Sequence, residues 1–120
     1  MFDFEKLDVY HQAKSFYTSI TEWIILKKVD AVIANQLKRA ALSVPLNIAE
    51  GSGRFSFRDR RNFYIIARSS IFECVAILGI LRDDGKIQDT EYLEFYEQAE
   101  SLSKILFSMI RNLTEKSGRK

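Results

Sequence analysis

The chain has 120 residues, of which 47% are hydrophobic and 28% charged, and its 18 lysines and arginines against 16 acids leave a net charge of +2. That balance suits one domain with a real core and argues against disorder or an integral membrane protein. The longest uninterrupted apolar run, Val75 to Leu81, falls short of the roughly 20 residues that span a bilayer, and the chain opens on charged Asp3, Glu5 and Lys6 rather than a signal peptide, so a cytoplasmic location is expected.

From Leu7 to about Lys28, Val9, Ala13, Phe16, Ile20 and Trp23 recur at steps of four and three, the spacing of one helix face, with Asp8 as predicted N-cap. Tyr10, Tyr17 and Ile24 widen that face beyond the seam a bundle member needs, so something else is expected to cover this edge. A second helix is predicted over 31–52, with Ile33, Leu37, Ala40, Ala41, Val44 and Ile48 facing inward. Pro45 interrupts it: proline has no amide hydrogen and its ring clashes with the carbonyl four residues earlier, so a kink or break is expected between Ala41 and Pro45.

Ser56 followed by Asp59 resembles a capping box and opens a third helix over 57–83, whose stripe of Phe63, Ala67, Ser70, Cys74, Ile77 and Leu81 is a heptad. Gly85 closes it, because glycine takes the left-handed conformation past a helix end without steric cost. Asp89 is the predicted cap of a fourth helix over 89–116, with Tyr92, Tyr96, Ala99, Leu102, Leu106, Met109 and Leu113 inside. Glu91, Glu94, Glu97 and Glu100 fill its first half, where acids suit the helix dipole. Short connections between long amphipathic helices imply antiparallel neighbours. The expected fold is an all-α, up-down-up-down four-helix bundle in one domain over 1–116, with 117–120 as a loose tail.

The residues usually needed for catalysis are sparse. His11 is the only histidine and has no second His or Cys at metal-ligand spacing, so no zinc or di-iron site, and no cofactor, is expected. The acidic row of the last helix reads as a solvated face rather than as paired catalytic carboxylates. Glu50-Gly51-Ser52-Gly53 has a superficial likeness to a phosphate loop but lacks the preceding strand and the Lys-Ser/Thr pair. Cys74, the lone cysteine, falls on an apolar stripe and is expected to be a buried structural thiol. The expectation is a protein that is not an enzyme.

Charge is nonetheless segregated. Residues 38–68 carry Lys38, Arg39, Arg54, Arg58, Arg60, Arg61 and Arg68 against Glu50 and Asp59, a net +5 within a chain of +2. Arg54, Arg58 and Arg61 are spaced by four and three, so they share a side if the third helix's register extends back through the turn. The guanidinium fork matches phosphate oxygens, and the interleaved Phe55, Phe57, Phe63 and Tyr64 could stack on unpaired bases. The competing reading is a solvated bundle face whose arginines pair with Glu50, Asp59 or the acids of helix four.

The segment Arg39 to Arg54, RAALSVPLNIAEGSGR, together with FEKLDVY at 4–10, YIIARSSIFE at 64–73 and DDGKI at 83–87, resembles the small bacterial four helix bundle protein family. That family includes the proteins encoded by intervening sequences within 23S rRNA genes and is related to the accessory variability protein of diversity-generating retroelements. The resemblance covers nearly the whole chain, although Leu46 stands where the pattern has a small polar residue and Ser52 where it has a bulky one. Its signature residues Pro45, Asn47, Glu50, Gly51, Gly53 and Arg54 carry no assigned catalytic role. Asn47 is read as structural, its side chain serving backbone groups freed by Pro45 or by the turn, and Glu50 has a similar explanation.

The resemblance implies a homopentameric ring, for which the spare edge of helix one and Ile65, Phe72 and Val75 on helix three offer apolar surface. The preferred expectation is an oligomer that binds structured RNA or an RNA-DNA hybrid through phosphates, with Lys38, Arg39, Arg54, Arg58, Arg61 and Arg68 as contacts. The alternative is a scaffold for a protein partner such as a reverse transcriptase, with the basic segment steering the encounter.

Overall fold

The computed structural model describes residues 1–118 and contains four α-helices: α1 (Asp8–Lys27), α2 (Ala31–Ser52), α3 (Phe57–Asp83) and α4 (Asp89–Ser117). There is no strand among the described residues. A 3-10 turn, Asp3–Lys6, precedes α1 and was not apparent in the periodicity. Ser117 extends α4 one residue beyond the expected end, and the rest of the expected tail, 119–120, lies outside the described residues.

Local chemistry sets the helix boundaries. Asp30 Oδ2 accepts the amides of Val32 and Ile33 at 3.1 and 3.3 Å, capping α2, and Ser56 Oγ accepts the Asp59 amide at 3.0 Å, capping α3. Asp8 and Asp89 are not caps: Leu7 and Gln88 occupy those positions in extended backbone, and the two aspartates are the first helical residues. Acids are favoured both at the cap and in the first turn, so sequence preference leaves a one-residue ambiguity. At the start of α4 the Gln88 amide donates to Glu91 Oε1 at 3.1 Å, while Asp89 pairs with Arg82 at 3.1 Å.

The end of α3 closes as a Schellman motif. Lys86 N–H donates to Leu81 O at 2.8 Å and Gly85 N–H to Arg82 O at 3.0 Å, with Gly85 at φ +69°. The end of α1 uses the same left-handed turn with a lysine, Lys28 at φ 52°, the only non-glycine residue with positive φ among those described.

The helices run antiparallel in chain order. Ser43 of α2 meets Ser70 of α3, while Gly51 lies against Tyr64, so the α2 numbers rise as the α3 numbers fall. Arg82 meets Asp89 and Arg68 meets Ser103 across α3 and α4. Lys27 pairs with Glu91 at 3.4 Å, and Trp23 packs edge-on against Phe95 at 6.1 Å, which closes α1 onto α4. The bundle measures 51 × 27 × 22 Å, and its long axis matches the roughly 44 Å length of a 29-residue helix such as α4.

Val9, Ala13, Phe16, Ile20 and Trp23 are buried, as the α1 periodicity predicts. The spare edge of that helix is covered within the chain: Ile24 is buried, and Tyr10 lies edge-on to Phe4 of the N-terminal turn at 4.8 Å. Two inner faces differ from expectation. On α3 the buried set is Tyr64, Ala67, Ile71, Cys74, Leu78 and Leu81, with Phe63, Ser70 and Ile77 only half-buried. On α4 Phe95 is buried while Tyr96 is 41% exposed. On α3 the observed and expected stripes are heptads that share Ala67, Cys74 and Leu81, on α4 they share Ala99, Leu102, Leu106 and Leu113, and packing against the neighbouring helices selects the flank.

α2 continues through Pro45 as one helix, so of the expected kink or break the break is absent. Pro45 is buried, so packing on the bundle holds the chain helical across the missing hydrogen bond. Asn47 Nδ2 donates to Ser43 O at 2.8 Å and to Ser43 Oγ at 2.9 Å, and Ser70 Oγ donates to Ser43 Oγ at 2.8 Å, a polar link between α2 and α3. The carbonyl that Asn47 reaches is therefore Ser43's, not that of Ala41, which the proline leaves without its usual donor.

By length and composition α3 is apolar enough to cross a membrane, with mean hydropathy 1.8 over its most apolar 18 residues, because scattered charges interrupt the run without lowering the average enough. Its buried heptad nevertheless faces α2 and α4, and a third of that stretch is enclosed within the chain. Outside the seam, Ile65, Phe72 and Ile80 stay 42–55% exposed and Val75 is half-buried.

Candidate functional site

The basic segment is organised by the α2–α3 turn. Gly51, one residue before the end of α2, is buried against α3: a Cβ there would fall 2.8 Å from Tyr64 Cε1 and 2.9 Å from Phe63 Cβ. Glycine thus lets the two helices close on each other at the turn. Gly53 N–H donates to Glu50 O at 3.2 Å and Arg54 N–H to Gly51 O at 3.1 Å, so the chain leaves α2 in a tight turn. The Glu50 carbonyl, and not its side chain, makes this bond. Ser52 Oγ donates to Ala49 O at 2.9 Å within its own helix.

The predicted basic residues fall into three groups. Arg58 and Arg61 lie one turn apart near the start of α3, whereas Arg54 precedes the Ser56 cap, so the helix register does not extend back to it. Arg54 reaches the site differently: its guanidinium lies 4.5 Å from the Phe63 ring centroid, and its carbonyl accepts Arg60 Nε at 2.7 Å. Lys38 and Arg39 are exposed on α2, about 20 Å along the helix axis from the turn by helical rise. Arg68 is turned toward α4, stacked at 4.8 Å from Phe72 and 5.4 Å from Phe107, with Nε donating to Ser103 O at 3.3 Å.

Two further contributors were not among the predicted contacts, although Arg60 was counted in the basic segment. Arg60 braces the turn through the carbonyl of Arg54, and Lys116, from the last turn of α4, sits 5.5 Å from the Phe57 ring centroid. The offset of six residues signals the first only weakly, and the second is remote in sequence. Ion pairs among the described residues join Lys27 to Glu91, Arg82 to Asp89 and Lys104 to Glu100; none involves residues 38–68. Pairing of these arginines with Glu50, Asp59 or the helix-four acids is therefore not found among the described residues. Arg61 Nε is buried without a hydrogen-bond partner.

Elsewhere, His11 Nε2 donates to Glu5 O at 2.7 Å, tying the N-terminal turn to α1. Among the described residues no group of three or more His, Cys, Asp or Glu side chains could hold a metal. Cys74 is buried, and burial, with the neighbouring Glu73 charge, pushes its thiol up to about 12. Between α3 and α4 an apolar groove of about 510 Å³ is lined by Ile71, Phe72, Val75, Ala76 and Tyr96, and continues past Phe72 to Phe107 and Ile110.

Comparison with known proteins follows this geometry. A crystal structure of a protein of unknown function from the S23 ribosomal protein family of Bacteroides thetaiotaomicron superposes with a TM-score of 0.80 at 23% identity, covering 85% of this chain and 97% of that one. At that identity the likeness is one of fold. No curated protein matches the chain. The profile described as 23S rRNA-intervening sequence protein matches residues 5–108, from the N-terminal turn through the glycine-hinged α2–α3 corner and well into α4. With the four-helix fold and the signature around Pro45 to Arg54 in place over that span, the chain belongs to the 23S rRNA-intervening sequence protein family.

Proposed function

We propose that this protein is a non-enzymatic, cytoplasmic oligomer, a homopentameric ring as its resemblance implies, that binds structured RNA or an RNA-DNA hybrid mainly through phosphates. The observation that carries the reading is the set of cations around the α2–α3 turn, Arg54, Arg58, Arg60, Arg61 and Lys116, none of which has an acidic partner among the described residues. Such charges are available to phosphate oxygens, and arginine's fork meets them bidentately. Lys38 and Arg39 form a second exposed set farther along α2. A ring would repeat each set and let weak contacts add through effective concentration.

A second reading, a scaffold for a protein partner such as a reverse transcriptase, draws on the exposed α3–α4 groove. There the basic turn would steer the encounter.

Anisotropy titrations against structured RNA and duplex DNA over a salt series separate the two. About five neutralised phosphates give a log–log slope near −4.5 for duplex and about −3.5 for single strands. The Arg54→Glu/Arg58→Glu/Arg61→Glu variant is expected to lose that binding while light scattering shows it still oligomeric. Binding that is weak, insensitive to salt and unchanged in the variant refutes the phosphate mechanism and favours the scaffold.

A further inference from the structure

Resting on the electrostatic reading above, we propose that Phe55 is a stacking platform for an unpaired nucleobase, so that the preferred ligand is a single-stranded or looped nucleic acid rather than uninterrupted duplex. The four aromatic residues around the turn are not equivalent. Tyr64 is buried beneath Gly51, Phe63 carries the Arg54 guanidinium, and Phe57 carries the Lys116 ammonium. Phe55 is fully exposed, at 101%, more than any other aromatic side chain among the described residues, and has no ring or cation partner there.

The backbone on either side of Phe55 is held. Arg54 is fixed through its amide to Gly51 O and through its carbonyl to Arg60 Nε; Ser56 is fixed by its cap to Asp59 and by the Arg60 amide on its own carbonyl at 3.1 Å. With the flanking backbone held before binding, only the rotation of the ring itself remains to be lost when a base docks.

The chemistry around the ring matches a nucleotide. Phe55, Ser56, Phe57, Arg58 and Ser117 line a shallow hollow of about 220 Å³, smaller than the roughly 300–1,000 Å³ of drug-sized sites. Ser117 closes the hollow on the α4 side, its Oγ buried without a hydrogen-bond partner among the described residues. Arg58 in the same lining and Arg61 one turn on bring positive charge for the flanking phosphates. An aromatic face beside unpaired arginines is the combination by which single strands are held without sequence preference. Bases stacked inside a duplex do not offer a free face to a protruding ring, so the platform discriminates by pairing state.

The test compares wild type, Phe55→Ala and Phe55→Tyr for binding to a single-stranded oligoribonucleotide and to a blunt RNA duplex of equal length, at one salt concentration. Phe55→Ala is expected to weaken single-strand binding about 5- to 150-fold, to change duplex binding less than about 2-fold, and to be rescued by Phe55→Tyr. Phe55→Trp is expected to show fluorescence quenching by the single strand against the background of buried Trp23. If Phe55→Ala leaves single-strand binding intact while charge reversal at Arg58 and Arg61 abolishes it, the platform is overturned and the electrostatic reading stands. If wild type binds neither oligonucleotide, both fall. A change of oligomeric state in Phe55→Ala assigns the ring to a neighbouring copy, and an emission blue shift of the Phe55→Trp variant with phosphatidylserine vesicles but not with RNA assigns it to a membrane; each overturns the proposal.

Discussion

Gly51→Ala and Gly79→Ala make the same chemical change inside two helices of one molecule, and the structure predicts opposite signs. At Gly51 the new methyl meets Tyr64 Cε1 at 2.8 Å and Phe63 Cβ at 2.9 Å. Tyr64 is buried and the Cβ of Phe63 moves only with its backbone, so relief requires α3 to shift away from α2. Overpacking of this kind costs about 3 kcal/mol at the upper end of its usual range, and alanine's better helix propensity offsets at most about 1 kcal/mol, leaving a net loss of about 2 kcal/mol. For a domain of this size that lowers the melting temperature by about 8 °C. At Gly79 nothing lies within 4 Å of the added atom, so Gly79→Ala is expected to stabilise by up to about 1 kcal/mol. Thermal and urea unfolding of both variants beside wild type is the assay. A Gly51→Ala protein that melts at or above wild type, or a Gly79→Ala protein destabilised to the same extent, refutes the claim that Gly51 is required for the close approach of α2 and α3.

Lys28 holds a left-handed conformation at φ 52°, so Lys28→Gly is expected to stabilise by about 1 kcal/mol, read as a higher urea midpoint at unchanged m-value. Asn47→Ala removes two hydrogen bonds to Ser43 and leaves the half-buried link between α2 and α3 short of a donor; a loss of about 1–2 kcal/mol is expected by the same unfolding assay. The raised Cys74 thiol predicts a pH dependence with a definite sign: the unfolded state releases the proton first, so the stabilising contribution is complete below about 9 and is lost between about 9 and 12 as pH rises. Denaturation at stepped pH is expected to show a slope of up to about 1.4 kcal/mol per pH unit in that window from Cys74, absent in Cys74→Ala. Tyr64, also raised by burial, adds to the fall above about 10 in both proteins.

Where apolar residues followed one period and the boundary chemistry was unambiguous, the sequence was enough. α2 spans 31–52 as its periodicity indicates, although its Asp30 cap was not foreseen, and α3 starts behind Ser56 as the Ser56–Asp59 pair indicates. The flank of a heptad was harder, because on α3 both Phe63/Ile77 and Tyr64/Leu78 are apolar and only the neighbouring helices distinguish them. Pro45 misled for a related reason: its local effect is known, but its burial, which keeps the helix running, belongs to the tertiary structure. Around the turn, spacing alone placed Arg58 and Arg61 together. It could not foresee that Arg68 would be taken up by Phe72, Phe107 and Ser103, or that Lys116 would arrive from α4.

The apolar character of α3 has a consequence during synthesis. At about 5–20 residues per second, the 29 residues of α4 take roughly 1.5–6 s to follow it, and for that interval a helix whose most apolar stretch has mean hydropathy 1.8 lacks one of the walls it will pack against. Arg68 and Glu73, in its middle third, are then the residues that separate a bundle helix from an inserted one: an arginine at the centre of a membrane helix is disfavoured by about 2.5–3.5 kcal/mol, against gains of only about 0.3–0.6 for each Ile, Leu, Phe or Val. In the folded chain Arg68 lies across Phe72 and Phe107 of α3 and α4, so a charge that disfavours insertion of the nascent helix later joins the two helices.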